Sequence, residues 1–178
     1  DALLTLAFEI LAEETQTPET AVQMIRILGR AAGPAGMIAG QMADLESEGA
    51  GGTMEQLQAI HISKTGRMFS ASAGLGAIAG GADEDQVERL LEYGLKIGLG
   101  FQIADDLLDV SASSEQLGKT AGKDSRQGKL TYPSLVGIEE ARRIAENLTA
   151  EALEGLASFG PEADILRRLA VELLERKK

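Results

Sequence analysis

Apolar residues recur at helical spacing from the outset. Leu3, Leu4, Ala7, Ile10 and Leu11 share one face of a predicted helix that ends near Glu14. Thr17 then supplies a capping side chain and Pro18 a first-turn proline, opening a helix through Ala32 that Gly33-Pro34 breaks. A third helical stretch carries Ile38, Gln41, Met42, Asp44 and Leu45 and closes near Gly49. After the glycine-rich run 49–52, Thr53-x-x-Gln56 reads as a capping box at the head of one unbroken helix to residue 79. Asp83-x-x-Gln86 opens the next, and Val87, Leu90, Leu91, Leu95 and Ile103 carry it to about Val110.

There the periodicity stops. Residues 111–131 are rich in Ser, Gly, Lys and Thr, and the pattern predicts one long loop; loops of that length are usually functional or disordered. Helix resumes at Pro133, with a second start at Ile138-Glu139-Glu140. Gly160-Pro161 stops it and restarts it before the basic end Arg176-Lys177-Lys178. No alternating strand pattern and no internal repeat is present, so the expectation is an all-α fold of seven or eight helices in a single domain over 1–178.

Composition narrows this further. Aromatic residues are 3% and Trp is absent, so Leu, Ile, Val, Met and Ala must fill the core, types that suit packed helices better than a sheet. The least polar stretch, 68–82, is too short to span a bilayer and reads as a buried helix. A net charge of −11 argues against a nucleic-acid or anionic-membrane surface. Without cysteine there is no disulfide, thiolate metal site or Cys nucleophile. The single histidine, His61, excludes a ferritin-like di-iron bundle and a His-based zinc site, and reads as a partly buried helix residue. No secretory signal opens the chain, which makes a cytoplasmic location the default expectation. The chain starts inside an apolar helical pattern without Met, as part of a longer protein would.

Three clusters carry candidate chemistry. In Asp105-Asp106-Leu107-Leu108-Asp109, Asp105 and Asp109 share a helix face with Cβ atoms roughly 6 Å apart, and Asp106 sits about 100° round the axis. Clustered carboxylates repel unless cations lie between them, and oxygen-only ligands suit Mg²⁺ held with substrate phosphates. Alone, a solvated helix end explains them better, although acids late in a helix oppose its macrodipole. The second cluster is Lys119, Lys123, Arg126 and Lys129, with Asp124 as the one acid among them and glycines at 118, 122 and 128. A solubilising loop explains such a run by itself; beside an acidic helix it suits a polyphosphate. The third is Lys64-Thr65-Gly66 with Gln102. The helices flanking Gly80-Gly81 are expected to run antiparallel, and at about 1.5 Å per residue Lys64 and Gln102 lie nearly level, with Asp105 about 7–8 Å further along. Gln102, between Phe101 and Ile103, needs a partner if buried. Gln41-x-x-Asp44 is weaker, since a helical surface pair explains it equally well. Gly94, Gly98 and Gly100 are expected to permit close helix packing rather than phosphate contact.

Together these segments resemble the trans-isoprenyl diphosphate synthases, the farnesyl and geranylgeranyl diphosphate synthase family. The matching stretches are Gly40-Gln41-Met42-Ala43-Asp44-Leu45, Lys64-Thr65-Gly66, the run from Gly100 through Asp109, Leu117-Gly118-Lys119-Thr120, Gly128-Lys129 and Tyr132-Pro133, in the family's order and spacing. The resemblance implies the C-terminal portion of an isoprenoid-synthase-type helical bundle, acting as a homodimer on isopentenyl diphosphate and an allylic diphosphate. It implies Mg²⁺, with Mn²⁺ as a substitute, on Asp105 and Asp109 with Asp106 beside them. Lys64 and Lys119 would pair with the allylic diphosphate, with Lys129 at the mouth. Gln102 and the Thr65 carbonyl would point dipoles at a carbocation, and Gln41 and Asp44 would support the lysine and metal sites from behind.

The family's first aspartate-rich motif and its isopentenyl-diphosphate site belong upstream of Asp1, so this chain by itself is expected to be inactive. Three other readings are a non-catalytic partner subunit, a class I terpene cyclase and a helical interaction protein. The complete acidic motif with Lys64, Gln102 and Lys119 weighs against the first, the lysine-rich loop against the second, and both clusters against the third.

Overall fold

Capping side chains open helices at Thr17, Thr53 and Asp83, where the pattern predicts them. The computed structural model of the protein describes residues 2–117 and 130–176, and for 111–117 the backbone alone. Helix α1 spans Ala2–Glu13 and α2 spans Pro18–Ala32, where the Thr17 side chain accepts the Thr20 N–H at 3.2 Å. Helix α3 is Met37–Ser47 and α4 is Met54–His61, opened by the reciprocal Thr53–Gln56 box. A π-helical turn, Ile62–Gly66, leads into α5, Arg67–Ala79. Helix α6, Glu84–Leu117, starts on a second reciprocal pair, Asp83 with Gln86. Then follow α7 (Tyr132–Val136), α8 (Ile138–Gly155), a 3₁₀ turn (Pro161–Ala163) and α9 (Asp164–Glu175). Gly137 joins α7 to α8 at φ +84°, a backbone that glycine adopts without the cost a side chain would bring.

All-α is therefore borne out, with nine α-helices among the described residues rather than seven or eight. Two boundaries differ from expectation. The helix predicted over 53–79 is divided by the π-turn, which apolar spacing cannot reveal because both halves continue along one path. Helix α6 runs seven residues beyond Val110, to Leu117. Ser111 to Leu117 contains neither Gly nor Pro, and extending an existing helix is cheap compared with starting one. Asp105 and Asp109 thus lie mid-helix, and the macrodipole argument no longer applies to them, since that effect fades within the last turn.

Helix α6 is the spine, with α5 along one side and α8 along another. One core cluster joins Ala77, Leu90, Tyr93, Ile97, Ala152, Leu156 and Ala170; a second joins Leu57, Ile103, Leu130, Tyr132, Ala141 and Ala145. Burying each large aliphatic side chain such as Leu57, Ile103 or Leu156 contributes about 1.5–3 kcal/mol. Tyr93 donates its hydroxyl to the Leu166 carbonyl at 2.7 Å, and burial pushes its phenol up to about 12. Helix α5, within the apolar stretch 68–82, buries only the stripe Ala71, Gly74 and Ala77, not its whole surface. Among the described residues no helix is long and apolar enough to cross a membrane.

Glycine sets how closely α6 approaches its neighbour. A Cβ on Gly74 would lie 2.4 Å from Leu91, one on Gly94 2.5 Å from the Phe69 carbonyl oxygen, and one on Gly98 2.9 Å from the Gly66 Cα. This ladder runs backward along α6 as it runs forward along α5, so the two helices are antiparallel, as expected. The packing role predicted for Gly94 and Gly98 holds; at Gly100 an added Cβ makes only an ordinary contact at 3.8 Å. Gly94→Ala should destabilise by about 1–3 kcal/mol through backbone overlap. Gly76→Ala, on the exposed face of α5 with nothing near its Cβ, should stabilise by about 0.5–1 kcal/mol. Thermal unfolding followed by circular dichroism checks both signs, and equal effects would mean that the seam is not glycine-limited.

Candidate active site

The π-turn is where the sequence-predicted residues begin to meet. Single π-helical turns inside α-helices are rare and frequently sit at functional sites, and this one carries Lys64, Thr65 and Gly66. It is wedged between α3 and α6. A Cβ on Gly40 of α3 would fall 2.2 Å from the Lys64 backbone nitrogen, and one on Gly66 would fall 2.9 Å from Leu95 of α6. Both neighbours therefore reach the turn only because those positions are glycine.

Side chains then fix its orientation. Lys64 Nζ donates to Asp44 Oδ2 at 2.6 Å, both side chains partly buried. Gln41 stands three residues earlier on α3 and is exposed. The Thr65 hydroxyl donates to Gln102 Oε1 at 2.6 Å. The level placement of the Lys64-Thr65 segment and Gln102 is thus borne out, and the polar partner that Gln102 required is Thr65. Lys64 reaches Asp44 rather than Asp105.

The three acids of α6 differ from one another. Asp105 is partly exposed and pairs with the Arg176 guanidinium, which lies over the Phe101 ring at 4.5 Å from its centroid. Phe101 in turn meets Phe69 at 5.4 Å. Asp109, one turn on, is exposed. Asp106, expected as a third ligand beside them, is buried at 1% exposure and accepts the Tyr132 N–H at 3.1 Å. A step of about 100° round the helix takes it off the Asp105–Asp109 face and into the core. Among the described residues no three carboxylate or imidazole side chains are grouped to hold a metal ion. What remains is a pair of carboxylates one turn apart, which fits an ion that takes one or two carboxylates together with substrate phosphates.

Lys119 and Lys129 lie outside the described residues. Arg176 is the residue whose place here the sequence did not disclose; the basic end of the chain was visible, but no periodicity links a position after the last helix to Asp105. His61 is more deeply buried than expected, at 5% exposure, with its ring stacked on Tyr132 at 5.5 Å.

Comparison with known proteins places this geometry in a family. The chain is 47% identical over 167 residues to geranylgeranyl pyrophosphate synthase 3, chloroplastic, of Arabidopsis thaliana, a match that covers 90% of this chain and 46% of that protein. The chain thus spans about half the length of the curated relatives it matches. That relative is named chloroplastic, which lends the cytoplasmic expectation no support. Among solved structures, an FPP/GFPP synthase from Zymomonas mobilis superposes with a TM-score of 0.83 at 38% identity, over 97% of this chain and 58% of that one. The geranyltransferase of Helicobacter pylori, complexed with magnesium and isoprenyl diphosphate, superposes with a TM-score of 0.76 at 37% identity, over 98% of this chain and 57% of that one. The sequence profile of the polyprenyl synthetase family matches residues 1–159, and the chain belongs to that family.

Proposed function

We propose that the protein carrying this chain is a Mg²⁺-dependent trans-isoprenyl diphosphate synthase that joins isopentenyl diphosphate to an allylic diphosphate. The observation that supports it most is the convergence of side chains around the middle of α6. There Lys64 sits on Asp44, Thr65 on Gln102, and the Asp105–Asp109 edge stands on the same helix as Gln102. The magnesium complex of the Helicobacter pylori relative supports the choice of ion.

In this reading Asp105 and Asp109 hold Mg²⁺, or Mn²⁺ in its place. Bound there, the ion offsets the negative charge that grows on the departing diphosphate. Lys64, kept extended by Asp44, pairs with a diphosphate oxygen; Lys119 and Lys129 add positive charge from the glycine-rich segment. The allylic C–O bond breaks, its electron pair leaving with the diphosphate. Gln102 and the Thr65 backbone carbonyl turn the negative ends of their dipoles toward the cation. The double bond of isopentenyl diphosphate attacks that cation, and loss of a proton restores a double bond in the lengthened chain. Gln41 supports the diphosphate from α3. The names of the relatives favour chain elongation over cyclisation. A homodimer is part of the proposal: α1 is apolar yet buries none of its residues, with Leu3, Leu6 and Ile10 exposed.

The test is Mg²⁺-dependent incorporation of labelled isopentenyl diphosphate into geranyl diphosphate, run on this chain and on the full product of its gene. Absence of product from both overturns the proposal. Asp105→Ala should lower turnover by at least about a hundredfold with helicity unchanged, as loss of a group acting in the transition state does. Near-normal turnover would remove Asp105 from the metal site. Lys119→Ala should raise KM for the allylic diphosphate by roughly tenfold, the loss of one charge-assisted contact; an unchanged KM would leave that segment merely solubilising.

A further inference from the structure

A buried carboxylate that faces away from the proposed metal edge needs another reason to be there. Asp106 is among the most deeply buried large side chains, at 1% exposure beside the cluster of Leu57, Ile103 and Tyr132. Placing a carboxylate against such a core is unfavourable unless hydrogen bonds compensate it. One of them comes from the Tyr132 N–H, at 3.1 Å. That N–H belongs to the first turn of α7, whose early donors have no partner inside the helix. Asp106 thus ties the start of α7 to the middle of α6.

The tie continues through Tyr132. Its ring is 2% exposed and stacks on His61 with centroids 5.5 Å apart and planes at 29°. Burial and the charge of Asp106 both push the Tyr132 phenol up, as expected of a ring held close to that carboxylate. His61 is the last residue of α4, directly before the π-turn that bears Lys64 and Thr65. Thr65 then returns to α6 through Gln102. The contacts therefore close a ring: Asp106 to Tyr132, Tyr132 to His61, His61 along the chain to Thr65, and Thr65 to Gln102, one turn from Asp106. The chain just before Tyr132 is seated as well, for Leu130 is buried and a Cβ on Gly52 would lie 2.6 Å from its Cδ2.

We propose that Asp106 is a positioning residue and not a metal ligand: with Tyr132 and His61 it forms a buried brace that holds the π-turn of Lys64 and Thr65 at a fixed place on the helix bearing Asp105 and Asp109. Its importance for catalysis rests on the synthase reading above; the brace itself does not. An asparagine keeps an oxygen able to accept the Tyr132 N–H, whereas alanine removes it, so the pair Asp106→Asn and Asp106→Ala separates acceptor from ligand.

Amide hydrogen exchange of the folded chain reads the brace without any activity. Protection at Tyr132 and at Lys64 to Gly66 should fall by at least about tenfold in Asp106→Ala and by less than about threefold in Asp106→Asn, as local opening frees those amides. If Asp106→Ala does not fold, His61→Ala serves in its place: it should expose the π-turn amides while leaving the Asp105–Asp109 edge intact. Unchanged exchange in the folded variant overturns the brace. In the active full-length protein, Asp106→Asn should leave the Mg²⁺ concentration for half-maximal rate within about twofold of the parent, while Asp105→Asn raises it at least about tenfold, as loss of a liganding oxygen does. Equal shifts in the two asparagine variants would make Asp106 a ligand and overturn the proposal. A full-length protein that shows the exchange pattern but makes no product would refute the synthase reading alone.

Discussion

Backbone-to-backbone contact at glycine is the constraint on which the rest depends. At positions 40, 66, 94 and 98 a single added carbon would enter the space of a neighbouring main chain or core side chain. Close approach there brings α3, the π-turn and α6 together tightly enough for short side chains to bridge them. Thr65 reaches Gln102 across 2.6 Å only because Gly98 already lies against Gly66 one turn below. Interiors this dense transmit small displacements rather than absorbing them. A shift of the α5–α6 seam would therefore move Thr65 and Lys64 relative to Asp105.

The extent to which this was legible in the sequence follows from which signals are local. Caps are local, and Thr17, Thr53 and Asp83 marked their helices correctly because each side chain bonds a backbone N–H three residues away. The antiparallel level of Lys64 and Gln102 was also readable, because one short turn and a fixed rise per residue determine it. Three features were not readable. A π-turn adds one residue without changing hydropathy, so the helix over 53–79 seemed unbroken. The tail of α6 has no apolar stripe, and periodicity reports burial, not helicity. The separate role of Asp106 depends on Tyr132, which follows a long connection, and no spacing rule reaches across 26 residues.

Charge makes the same point about context. The pairs Asp85–Arg89 and Glu140–Arg143 are exposed neighbours on single helices, and although each arginine holds its partner's carboxyl below the usual range, such pairs add little stability. Lys64–Asp44 and Arg176–Asp105 instead join separate elements at the candidate site. Arg176 also lies over Phe101, and a guanidinium above an aromatic face is held by the ring as well as by the carboxylate. The end of the last helix is anchored in this way to the same face of α6 that presents Asp105.

The pairing of Lys64 with Asp44 poses a conflict that its geometry resolves. A carboxylate beside the lysine proposed to bind diphosphate weakens the field that the lysine offers a polyanion, so on charge alone Asp44 would oppose binding. A free lysine, however, loses about 1.5–2 kcal/mol of rotamer freedom when a ligand fixes it. Held at 2.6 Å by Asp44, that freedom is already lost on folding, and little ordering remains for binding. Lysine has three donors and the carboxylate uses one, so a phosphate oxygen can join without displacing Asp44. Lys64 is still one-third exposed, which keeps those donors accessible. Orientation therefore outweighs the loss of field only while the π-turn stays in place, which makes the position of the backbone at 62–66, more than the number of charges nearby, the quantity that the fold must control.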